Sequence, residues 1–140
     1  MLESNQKALG FGAIVVALAL ASGVASADGK ITLSGSEEVP AVTTSASGTG
    51  TITVKNDKTV TGSVTTKDIV GVAAHIHLAP AGKNGPPVIT LTKKSDNEWN
   101  VPEGSKLTDE QYAAYQAGHL YVNVHSAANK AGEIRAQLKP

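Results

Sequence analysis

Leu120-Tyr121-Val122-Asn123-Val124-His125 alternates between purely apolar side chains and side chains with a polar tip. In an extended strand, residues two apart share a face. Leu120, Val122 and Val124 therefore face one way, and Tyr121, Asn123 and His125 face the other. Ala74-His75-Ile76-His77-Leu78 has the same period, with His75 and His77 opposite Ala74, Ile76 and Leu78. Both segments predict half-buried strands of a β domain. Their apolar faces meet in a core, and the histidines are expected on an outer face.

The pattern extends in both directions. Ile31 to Leu33 and Gly48 to Val54 read as strands, and Asn56-Asp57 as a hairpin turn into a strand over Thr59 to Thr66. Ile69 to Leu78 carries the histidine pair. Pro80 to Pro87 is a loop by composition, and Val88 to Leu91, Glu98 to Val101, His119 to His125 and Glu133 to Leu138 are further strands. One helix is predicted over Asp109 to Ala117. Thr108 and Gln111 form its capping box, Leu107 and Tyr112 a hydrophobic staple, and Gly118 its stop. Many short strands in about a hundred residues predict an all-β domain, an antiparallel sandwich or barrel with one short helix.

The first residues read as an address. Lys7 precedes an apolar run from Leu9 to Ala21, and Ala25-Ser26-Ala27 matches the small-x-small pattern of a cleaved signal peptide. Residues 1–27 are thus expected to be removed and residues 28–140 to form the domain of an exported protein, periplasmic or secreted. An uncleaved anchor is the alternative, although the run is short for a span of about 20 residues. No second apolar run of spanning length follows in the mature chain. The net charge is zero and no basic cluster stands out, so nucleic acid is not an expected partner. There is no cysteine, hence neither a disulfide nor a thiol nucleophile.

The same-face imidazoles of His75 and His77, with His125 at matching parity on a second strand, suit copper or zinc. The competing reading is that the rings hydrogen-bond loop carbonyls and order the Pro/Gly loop. His119 lies six residues before His125, roughly 20 Å along a strand, and is expected to be exposed. Catalytic signatures are lacking: no Gly-x-Ser-x-Gly elbow is present, and the carboxylates of Glu37 and Glu38 point apart in a strand. Trp99 reads as a core or interface anchor.

Several motifs together resemble the chordin-type (CHRD) domain. They are Leu33-Ser34-Gly35-Ser36-Glu37-Glu38-Val39-Pro40, Ala74-His75-Ile76-His77 with its Pro/Gly loop, Leu107-Thr108 through to Gly118, Leu120 to His125, and Gly132-Glu133-Ile134-Arg135-Ala136-Gln137-Leu138. The resemblance runs from about Ile31 to Leu138. It implies an all-β domain of an extracellular or exported protein. In animals such domains occur in a growth-factor antagonist, and in bacteria in small exported proteins. A fainter resemblance is to copper/zinc superoxide dismutase, which implies a Greek-key architecture with His75, His77, His125 and Arg135 in the places of the copper ligands and a nearby arginine. The bridging histidine, the zinc cluster and the disulfide of that family are missing, so its chemistry is not implied.

The remaining residues on the histidine face have supporting roles. Asn123 is expected to position a ligand or water, or to be a fourth ligand. Glu133 is expected to orient a histidine or to be a fourth ligand, with a surface ion pair as the competing reading. Arg135 is expected to guide an anion or to form an exposed ion pair. Two functions follow: an exported protein that binds, stores or delivers copper, with zinc as the alternative ion, or a metal-free extracellular module that binds another protein or a matrix polymer.

Overall fold

The computed structural model describes residues 29–140, so the expected signal segment over 1–27 lies outside the described residues. Among the described residues nine strands form one sheet: β1 (Lys30–Ser34), β2 (Ser47–Val54), β3 (Val60–Lys67), β4 (Gly71–Leu78), β5 (Pro87–Thr90), β6 (Thr92–Ser95), β7 (Glu98–Asn100), β8 (Leu120–Ser126) and β9 (Ile134–Gln137). A 3₁₀ turn, Gly35–Glu37, follows β1, and the helix α1 covers Asp109–Gln116. The spatial order is β5-β4-β8-β9-β1-β2-β3-β7-β6, and every pairing is antiparallel.

The two ends of that order are consecutive in sequence. Only Leu91, 3 % exposed, separates β5 from β6, and its N–H donates to the Ala74 carbonyl of β4 at 2.9 Å. One extended run therefore leaves the edge of β4 and joins β7, which nearly closes the sheet into a barrel. Lys93 Nζ crosses the same gap to the Gly71 carbonyl at 3.1 Å. Strands β4, β5/β6 and β7 follow one another by short connections, and β3 lies beside β7. That arrangement is a Greek key.

Leu33, Ile52, Val64, Ile76, Val122, Val124 and Ile134 fill the barrel. These are the apolar-parity residues of their strands, so the alternation in the sequence chose the inner face correctly. Trp99 is 2 % exposed within the same cluster and is a core anchor. The capping box of α1 is present: Gln111 N–H donates to Thr108 Oγ1 at 3.1 Å, and Thr108 N–H to Gln111 Oε1 at 2.9 Å. Gly118, at φ +78°, ends the helix, with its N–H on the Tyr115 carbonyl and that of His119 on the Ala114 carbonyl. This is the Schellman pattern that glycine favours.

Asn56-Asp57 form the expected hairpin turn between β2 and β3: Lys58 N–H donates to the Lys55 carbonyl at 2.9 Å across them, and Lys58 itself follows at φ +72°. The all-exposed strand β6, Thr-Lys-Lys-Ser, has no apolar alternation to mark it in the sequence; its pairing with β7 makes it a strand. One expectation about the fold needs correction: the histidine face is not an outer face. Every residue of β8 is buried, because the loops around residues 79–86 and 127–133 roof the polar side of β4, β8 and β9.

Candidate metal centre

Register brings the histidines together. β4 and β8 pair with His77 opposite Tyr121, His75 opposite Asn123 and Ala73 opposite His125. His75 thus has His77 two residues along its own strand and His125 diagonally across, both within reach of long side chains. One ring nitrogen of each histidine lies within 4.8 Å of the others. An ion bonded to imidazoles at about 2.0–2.1 Å separates two ligand atoms by at most about 4.2 Å, so a small inward turn of the rings completes the site. His75, the least enclosed of the three, has room to make it.

The hydrogen bonds fix the tautomers. His77 Nδ1 lies 2.9 Å from the Gly85 carbonyl, and His125 Nδ1 lies 2.8 Å from the Lys130 carbonyl. A carbonyl only accepts, so both Nδ1 atoms carry the proton and both Nε2 atoms offer a lone pair. His75 Nδ1 is 3.0 Å from His125 Nε2 and donates to it. Burial, and then the neighbouring imidazole charges, hold His75 below the ordinary histidine range. Burial also lowers His77, against an opposing contribution from the Gly85 carbonyl. Both rings are therefore neutral near pH 7, the form a metal requires.

Tyr121, on the middle strand, braces the arrangement. Its ring stacks on His77 at 4.8 Å between centroids and 3° between planes, and the Arg135 guanidinium lies 3.4 Å over it. Its hydroxyl accepts from Gly85 N–H at 3.2 Å. Sequence reasoning placed Tyr121 on the right face without assigning it a task. The Gly85 and Lys130 carbonyls left no trace in the sequence, since any residue supplies one.

The other expected residues are distributed as follows. Arg135 is 1 % exposed and is neither a surface ion pair nor open to solvent as an anion guide. Its Nη1 donates to the Lys83 carbonyl at 2.8 Å, and its Nη2 to the Pro80 carbonyl at 3.2 Å and to Gln137 Oε1 at 3.0 Å, so it clamps the Pro/Gly loop. Glu133 stands apart from the imidazoles and makes no ion pair among the described residues. It accepts from Ser126 Oγ at 2.7 Å, Asn129 Nδ2 at 3.1 Å and Thr44 Oγ1 at 2.8 Å. Burial alone would raise its pKa, but these three donors outweigh it and hold the carboxylate below its usual range. Asn123 is 1 % exposed, with Nδ2 on the Ala131 carbonyl at 3.3 Å. His119 stands outside the cluster. Glu38, which the sequence showed only as half of an acidic pair, is 5 % exposed beside Asn123, and burial pushes it up to about 7.

Among the described residues no helix is long and apolar enough to cross a membrane. The model of one protein family, the CHRD domain, matches residues 30–138, nearly all of the described chain. Comparison with curated proteins gives no match, and comparison with solved structures gives none.

Proposed function

This chain belongs to the CHRD domain family, and we propose that it is an exported protein that binds one metal ion through His75, His77 and His125. Copper is the first choice, with zinc as the alternative, and the task is ion binding, storage or delivery. The observation that carries this reading is the convergence of three imidazole nitrogens within 4.8 Å. Two of the rings are already aimed by carbonyls behind them, as metal-bound histidines are. An all-imidazole set without thiolate suits copper and zinc, and such sites bind Cu(II) more tightly than Zn(II). Three protein ligands leave a coordination position for exchange. Export rests on the Ala25-Ser26-Ala27 pattern before residues 28–140.

Copper titration against a competing chelator tests the reading. The expected result is one ion per chain, with binding weakened by roughly a hundredfold or more in His77→Ala and His125→Ala and unchanged in His119→Ala. Equal affinity in wild type and His77→Ala would sink it. A second reading, a metal-free extracellular interaction module, draws on the exposure of Val70 at 82 % and Val72 at 59 %. Metal content of the purified protein after supply of copper or zinc separates the two.

A further inference from the structure

Three buried polar atoms beside the triad have no hydrogen-bond partner among the described residues: His77 Nε2, Asn123 Oδ1 and Glu38 Oε1. Buried groups of this kind are rare and call for an explanation. These three belong to one place. The Asn123 amide acts on both the His77 ring and the Glu38 carboxyl. Gly132, at φ +126°, closes over the spot where Asn123 Nδ2 and Glu38 Oε1 approach each other, and a Cβ there would overlap both.

Counting donors explains how the amide is turned. Asn123 Nδ2 has two hydrogens. One goes to the Ala131 carbonyl at 3.3 Å, and the other faces Glu38. With both acceptors at its nitrogen end, the amide points Oδ1 toward His77. There Oδ1 meets His77 Nε2, itself an acceptor because Nδ1–H is committed to the Gly85 carbonyl. Two lone pairs facing each other in a buried place are costly unless a donor or a cation lies between them.

We propose that Glu38 is a positioning residue: attraction between its carboxyl and the neighbouring Asn123 Nδ2 hydrogens, short of a completed hydrogen bond, keeps Oδ1 turned toward the triad, so that the ion bound by His75, His77 and His125 gains a fourth, oxygen ligand. This rests on the metal reading above and adds the composition of the ligand set. The carboxyl provides an acceptor oxygen whether or not it is ionised. Three nitrogens and one oxygen suit a divalent ion, Cu(II) or Zn(II), better than Cu(I), which favours softer donors.

The test compares Glu38→Ala, Glu38→Gln, Asn123→Ala and the Glu38→Ala/Asn123→Ala double variant. Cu(II) binding is followed by chelator competition and electron paramagnetic resonance. Glu38→Ala and Asn123→Ala should give the same altered Cu(II) spectrum and affinities weaker by roughly tenfold, as loss of a supporting group does. The double variant should bind no more weakly than Asn123→Ala, and Glu38→Gln, which keeps an acceptor oxygen, should retain the wild-type spectrum. In the metal-free protein, the Asn123 side-chain amide protons should exchange faster in Glu38→Ala, a readout independent of loading. Glu38→Leu, which fills the space without an acceptor, replaces Glu38→Ala if that variant does not fold. A wild-type spectrum and affinity in the alanine or leucine variant would overturn the role of Glu38 while leaving the triad standing. No copper binding by wild type would overturn the triad itself.

Discussion

At the residue scale, the same hydrogen bonds serve loop order and metal readiness. The His77 and His125 Nδ1 atoms pin the roofing loops, and that engagement leaves each Nε2 free. The two readings of the histidines in the sequence are thus compatible. Protons acting on the metal-free site have opposite effects on stability at different residues. His75 and His77 titrate below their unfolded value of about 6.5, so their contribution is present above that pH and is lost as pH falls below it. Glu38 titrates at about 7 against 4.5, so its contribution is present below 4.5 and is lost as pH rises through about 7. Arg135 and Asn123, which face it, reduce the shift without cancelling it. Denaturant melts of the metal-free protein should therefore show wild type losing stability relative to Glu38→Gln between about pH 5 and pH 8, by on the order of 2 kcal/mol. A constant difference across that range would contradict the burial assigned to the carboxyl.

At the element scale, α1 depends on its ends. None of its residues is fully buried, and only Tyr112, Ala114 and Tyr115 rest on the core. The capping box and the Schellman turn therefore carry more of its stability than packing does. An ion pair from Lys58 to Asp109 adds little, since Asp109 is exposed. Thr108→Ala should cost about 1 kcal/mol in chemical denaturation. It should leave copper affinity unchanged, because α1 supplies no ligand. The run from Pro87 to Ser95 has the opposite character: its strands are largely exposed, but Leu91 is driven into the core between them. Leu91→Ala should cost about 2–5 kcal/mol, since it leaves a cavity at the seam of the barrel.

At the scale of the whole molecule, the site joins β4 to β8 and draws in two roofing loops. Any ion that binds the folded protein and not the unfolded chain raises its stability by mass action. Copper at a hundred times its dissociation constant should therefore stabilise wild type by about 2.7 kcal/mol, and the His77→Ala variant far less. Thermal melts with and without copper check this. Circular dichroism should be dominated by β-structure. For export, the intact mass of protein recovered outside the cytoplasm should begin at Asp28, and recovery of the full chain from membranes would favour the anchor.

The sequence alone determined which side of each strand faces the core, where the helix begins and ends, and which three histidines have compatible parity. These are local properties, set by a two-residue period and by caps that act over three or four positions. Only the tertiary structure decided that Pro87 to Ser95 closes the barrel, that loops cover the histidine face, that Glu38 is buried beside Asn123, and that Tyr121 and two backbone carbonyls brace the imidazoles. Such relations join residues far apart in the chain through register and loop docking. Arg135 shows the difference: its parity was legible at once, but its burial against the Pro80 and Lys83 carbonyls depended on a loop more than fifty residues away. A charge there reads as surface in the sequence because nothing local announces the carbonyls that satisfy it.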